Sequence, residues 1–142
     1  MKTRQINQTP RTFAVIFDIG DEAAAGLFEA ARENNIRGAQ ITGIGAFSQV
    51  KLAFYDLQTK TYEPIDVREQ VEVVSLLGNV AQLQNGETKI HVHCAVGKRD
   101  GTMIGGHLLE GLVKPTLEVI MTETAPLRRR QNEEVGLPLL EP

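Results

Sequence analysis

The three histidines of this chain fall in one stretch, His91-Val92-His93 and then Gly105-Gly106-His107. Imidazole is the commonest side-chain metal ligand, so this concentration is where coordination chemistry is to be sought. In a β-strand, residues at i and i+2 share a face. Read as a strand, Thr88 to Val96 carries Thr88, Ile90, Val92, Cys94 and Val96 on one face and Lys89, His91, His93 and Ala95 on the other. That parity pairs His91 with His93 and turns Cys94 into the opposite face, where a thiol behaves as a small buried hydrophobe. A third ligand then has to come from elsewhere. Asp100-Gly101 marks a turn, and Gly105-Gly106 allows positive φ or close packing, so the chain can fold back and deliver His107 beside the pair.

Three imidazoles leave one position of a tetrahedral ion open, the arrangement of a zinc site that binds a water. Copper, nickel, iron and cobalt accept imidazole as well, so the ion expected is Zn²⁺ or another divalent transition metal. Glu110 follows His107 by three residues. If His107 to Gly111 starts a helical turn, the two side chains share a face, and Glu110 becomes a candidate fourth ligand, outer partner or proton acceptor. The competing reading makes His91 and His93 strand residues on a wet or subunit-facing surface, with His107 in a tight loop bonded to a carbonyl.

The elements that must position these residues are mostly strands. Thr12 to Phe17, within Arg11 to Asp18, is an apolar run that reads as a first strand. Gly20-Asp21 ends it and offers an N-cap. Ala24, Leu27, Phe28 and Ala31 recur at the spacing of one helix face, which predicts a helix from Asp21 to Asn35. Ala39 to Thr42 leads into Gly43-Ile44-Gly45. That glycine pair resembles a dinucleotide loop, but Ser48 replaces the third glycine and Val50 to Tyr55 reads as a strand, so a bend between strands is expected instead. Thr61 to Val67, Val71 to Leu77, Val80 to Gln84, Thr88 to Val96 and Leu117 to Thr122 have β composition, and Asn85-Gly86 signals a hairpin. Pro115, which donates no ladder bond, is expected at a strand entrance or edge. The fold class is α/β of the α+β type, a mostly antiparallel mixed sheet with one main helix. Residues 1–142 form one domain, with a core over about 10–124 and a tail over 125–142.

Composition narrows the function classes. The 142 residues suit one domain with a substantial core. A net charge of −3 gives no bulk attraction to nucleic acid, and an aromatic fraction of 5 % without tryptophan does not suggest a base-stacking surface. A single cysteine makes no internal disulfide, and no apolar run approaches membrane-spanning length, so a cytoplasmic protein without membrane association is expected. Arg128-Arg129-Arg130 could hold phosphate, but Glu133 and Glu134 follow, and a solvated or interface-facing terminal segment is the expectation.

Three blocks carry a family resemblance: Gly43-Ile-Gly-Ala-Phe-Ser-Gln-Val-Lys-Leu-Ala-Phe-Tyr-Asp56, Val71-Glu-Val-Val-Ser-Leu-Leu-Gly-Asn79, and Ile90-His-Val-His-Cys94 with Gly105-Gly-His-Leu-Leu-Glu-Gly111 and Leu117-Glu-Val119. Together they resemble the PPC domain shared by plants and prokaryotes, which in plants accompanies AT-hook motifs. The resemblance implies a compact α/β domain, a homotrimer, and a metal, Zn²⁺ by preference, held by His91, His93 and His107. It also implies a DNA-binding label. That label belongs largely to plant proteins with a separate hook, and this chain has no Arg-Gly-Arg-Pro core, so direct DNA binding is not expected. Plant members use the domain to associate with partner proteins through the region matching Val71 to Leu77. The function expected is a trimeric metal-binding domain whose open position takes water or a small anionic ligand. The alternative is a DNA-associated or protein-interaction regulatory module without catalysis. Were the bound water to attack an ester or amide, Glu72 and Glu110 are the candidate catalytic residues for moving protons.

Overall fold

Side-chain alternation and close backbone approaches explain most of this architecture. The structure, a computed structural model, describes residues 1–141. Nine strands and one helix lie among those residues: β1 (Lys2–Gln8), β2 (Arg11–Phe17), α1 (Ala23–Glu33), β3 (Ala39–Asp56), β4 (Thr61–Val67), β5 (Val71–Gln82), β6 (Thr88–Gly97), β7 (Met103–Glu123), β8 (Arg128–Asn132) and β9 (Leu137–Glu141). All named pairings are antiparallel except the parallel contact of β5 with β8, which gives the expected mixed, mostly antiparallel α+β domain. Four strands close on themselves: β3 pairs with β5, β5 with β6, β6 with β7, and β7 with β3. β2 and β1 extend the sheet beyond β7, and β4 pairs with β3.

The hydrophobic core takes its side chains from α1 and from strands of this ring, including Leu27, Phe47, Leu76, Cys94, Val96 and Leu117. Burial along β6 alternates as the parity requires: Val92, Cys94 and Val96 are buried in the core, while His91 and His93 lie on the other face. The histidine pair therefore lies on the face of β6 opposite that core, on a strand that pairs with both β5 and β7.

Several sequence expectations are corrected. The segment His107 to Gly111 is not a helical turn; it belongs to the 21-residue β7, whose ladder with β3 absorbs register shifts. The same tolerance for bulges makes Ala39–Asp56 one strand instead of two strands around a bend, and Val71–Gln82 one strand instead of two. Pro115 lies inside β7, where pairing with β3 skips between Gly45 and Phe47, and a bulge tolerates a residue with no N–H. The helix is capped not by Asp21 but by Glu22, whose carboxylate accepts from the backbone N–H of Ala24 and Ala25 and from Gly111 across the fold. Its buried face is Ala23, Gly26, Leu27, Ala30 and Ala31, while Phe28 is exposed. Gly26 explains the rotation: the Phe17 ring occupies the space a Cβ would need, so the helix packs closely on its glycine side. β1 and the β8–β9 hairpin add structure at both ends of the expected core. The Asn85-Gly86 turn does join β5 to β6, with Leu83 and Glu87 bonded across it. No helix among the described residues is long and apolar enough to cross a membrane.

Candidate metal centre

His93 and His107 face each other as register partners between β6 and β7. A turn at Asp100-Gly101 reverses the chain, with Gly101 N–H donating to Lys98 O at 3.0 Å. Gly106 then makes the approach possible, because a Cβ there would lie 2.6 Å from the carbonyl oxygen of Ala53 on β3. Without that atom β7 sits close to β3, so register rather than a free loop sets the position of His107.

The three side chains converge. His91 Nε2 stands 3.1 Å from His93 Nε2 and 3.2 Å from His107 Nδ1, and one ring nitrogen from each lies within 4.8 Å of the others. Two nitrogens each about 2.0–2.1 Å from a tetrahedral ion are about 3.3 Å apart, so the donor set suits a transition metal. Among the described residues no carboxylate or thiolate joins the group, which leaves room for a ligand from solvent.

Burial, then the charge of Arg129 and the neighbouring rings, pushes His91 down to about 4. Burial, then His93, also lowers His107. Both shifts favour the neutral imidazole, which is the ligating form. Tyr62 stands edge-on to His107 with ring centroids 4.9 Å apart. Burial first, and then Tyr55, raises its phenol above the usual value, so it stays a neutral hydroxyl beside the site.

The C-terminal hairpin supplies a residue that the sequence placed in a solvated or interface-facing terminal segment. Arg129 is only 6 % exposed. Its Nη2 donates to Asn79 Oδ1 at 2.8 Å and contacts His91 Nδ1 at 3.2 Å, while Nη1 donates to Pro138 O at 2.9 Å. Asn79 is the register partner of His91 on β5. Nothing local in the sequence marks it: the bond to Pro138 O is made nine residues away, and Leu139 and Leu140 are exposed.

The two glutamates lie elsewhere. Glu110 is outside the nitrogen cluster, opposite Lys51 in the ladder, and pairs with its Nζ at 3.3 Å. Glu72 lies opposite Gly97, four positions along β6 from His93, roughly 13 Å of strand.

The model of the Plants and Prokaryotes Conserved (PCC) domain matches residues 4–125. Solved structures agree with it. A candidate DNA-binding protein from Bacteroides thetaiotaomicron superposes with a TM-score of 0.91 at 27 % identity, covering 99 % of this chain and 96 % of its own. A metal-containing protein from Archaeoglobus fulgidus gives 0.84 at 28 % identity over 99 % of this chain and 97 % of its own. A plant- and prokaryote-conserved protein from Pyrococcus horikoshii gives 0.85 at 27 % identity over 99 % and 95 %. No functionally curated protein matches the chain.

Proposed function

Because the chain belongs to the Plants and Prokaryotes Conserved domain family, we propose that it is a cytoplasmic, homotrimeric protein whose His91, His93 and His107 bind a divalent transition metal, zinc by preference. The observation that carries this reading is the convergence of three ring nitrogens with no protein donor in a fourth position among the described residues. The description of the Archaeoglobus protein as metal-containing supports it. A dication held by three neutral imidazoles keeps its full charge, so the open position favours hydroxide or a small anion such as a carboxylate. A bound metal would supply Lewis acidity; the chain supplies three neutral donors and a flanking phenol.

Trimer assembly is what the family resemblance implies, and an exposed apolar face supports it. Ile44, Val74, Leu77 and Ile120 line one shallow cleft, with Ile44 60 % and Val74 53 % exposed. Such a face is costly to leave against water and suits a subunit boundary. Leu77 is the register partner of His93, so that boundary would reach the metal centre.

Metal analysis of protein purified without an affinity tag tests the reading. About one ion per chain, lost when His93 is replaced by alanine, is expected. Protein that takes up no Zn²⁺, Ni²⁺ or Co²⁺ on supplementation contradicts it.

A DNA-associated role is the second reading, favoured by the description of the Bacteroides protein. Here the arginine tract offers less than its sequence suggests: Arg129 is buried, and Arg130 Nε is paired with Glu141 at 2.9 Å. Duplex affinity that falls steeply with salt and depends on Arg128 and Arg130 would establish that role, and absence of binding at low salt would remove it.

A further inference from the structure

The β8–β9 hairpin reaches across the strands that carry the histidines. Leu77 on β5, His93 on β6, His107 on β7 and Ala53 on β3 are successive register partners. Asn79 lies two residues from Leu77 and Tyr55 two from Ala53, so a segment that touches both spans β6 and β7. The hairpin touches both. Arg129 Nη2 donates to Asn79 Oδ1 at 2.8 Å, and Val135 O accepts from the Tyr55 hydroxyl at 2.9 Å. It passes on the histidine side, since the same Nη2 lies 3.2 Å from His91 Nδ1. Lys60 Nζ fastens the turn a second time, donating to Glu133 O at 2.8 Å.

This attachment is light. Among the described residues one register pair, Gln82 with Arg128, joins β8 to β5, and Arg129 is the one buried residue in β8 and β9. Leu139 and Leu140 are exposed, and the ion pair of Arg130 with Glu141 is internal to the hairpin. A two-stranded hairpin is marginally stable by itself. A part of a fold with few buried apolar contacts opens locally for less than global unfolding costs. Cover over the cluster is uneven to match: His93 is exposed, whereas His91, beside Arg129, is half-buried.

Resting on the metal-site reading, we propose that the β8–β9 hairpin is a strap over the metal centre that governs access to it from the His91 side. Tyr55 and Lys60 are its clasp. Fastened, the strap shields His91; released at its turn, it swings clear and opens the centre to exchange of its bound ion. A hairpin that merely tied down the end of the chain would leave histidine access and exchange rates alone.

Hydrogen–deuterium exchange and histidine labelling by diethyl pyrocarbonate, both located by peptide mass spectrometry, test the strap in the whole chain after chelator treatment. Amides of β8 and β9 are expected to exchange well before those of β6 and β7. Exchange as slow as in β6 overturns the proposal, because the hairpin would then open only with the whole fold. In the double variant Tyr55→Phe, Lys60→Met, loss of two hydrogen bonds is expected to speed labelling of His91 roughly tenfold. Labelling of His93, already exposed, should stay nearly unchanged. An unaltered rate at His91, or a parallel rise at both histidines, overturns the strap. Loaded with Zn²⁺, the same variant is expected to release it to a chelator roughly tenfold faster than wild type. Equal release rates also overturn the proposal. If the variant does not fold, wild-type hydrogen exchange decides alone. Wild type that takes up no zinc removes the metal reading, while labelling of His91 still judges the strap.

Discussion

His93 and His107 are direct register partners across the antiparallel ladder of β6 and β7, so the third ring of the centre is delivered by strand pairing. His93 and His107 are thus held by ladder pairing on both sides, while His91 is paired with Asn79 on β5. Replacing His107 by alanine is expected to leave the far-ultraviolet spectrum and melting temperature nearly unchanged. Zinc affinity, measured by competition with a chromophoric chelator, should fall by more than the roughly 10–100-fold that loss of an outer partner costs. Unaltered zinc affinity would show that His107 is not a ligand.

The two adjacent glycines are expected to respond differently. At Gly105 an added Cβ meets nothing closer than Cys94 O at 3.4 Å, while at Gly106 it comes to 2.6 Å from Ala53 O. Gly105→Ala should lie within about 0.5 kcal/mol of wild type in urea unfolding. Gly106→Ala should cost about 1–3 kcal/mol, because β3 and β7 must part. Equal stability of the two variants would mean that β7 is not held this closely to β3.

These glycines mark where sequence was informative and where it was not. Parity in Thr88–Gly97 is a local property, legible from side-chain type alone, and it correctly separated the histidine face from Cys94. The convergence of His107 was legible as a possibility because a turn and small residues precede it. Its mechanism was not, since a 21-residue strand crossing several bulges depends on pairing with β3, which no local pattern records. Arg129 was hidden for a similar reason: flanked by charge in sequence, it is buried by Pro138 and by Asn79, contacts nine and fifty residues away.

Glu22 joins the helix to the site-bearing strand. Its carboxylate serves the helix N-terminus through Ala24 and Ala25 and also accepts from Gly111 N–H at 2.8 Å on β7. Glu22→Ala leaves those three donors without this partner and is expected to cost roughly 1–2 kcal/mol in chemical unfolding. Stability equal to wild type would show that water replaces the carboxylate fully.

Acid sensitivity should be traceable to Glu123. Its hydrogen bonds to Arg11, at 2.6 and 2.8 Å, hold its carboxyl below the usual glutamate value. A carboxyl depressed in the folded state stabilises above its unfolded value, about 4.3, and loses that contribution as pH falls through the folded value. The melting temperature of wild type should exceed that of Glu123→Gln at neutral pH, and the gap should close in the acid range below about pH 4. A gap independent of pH would exclude the carboxylate as its source.

The exposed apolar face makes its own prediction. Val74→Glu places a charge on the cleft shared by Ile44, Leu77 and Ile120. Sedimentation equilibrium should show a trimer for wild type and monomer for the variant, with the helix and strand spectrum retained. A wild-type monomer at micromolar concentration, or a variant that still assembles, would place the subunit contact elsewhere or remove it.

Anomalous diffraction from a crystal grown with Zn²⁺, recorded above and below the zinc edge, tests the central claim most directly. One peak per chain is expected about 2.0–2.1 Å from ring nitrogens of His91, His93 and His107, with a non-protein ligand in the remaining position. A peak coordinated by other residues, or none at this cluster with zinc in excess, would contradict the account.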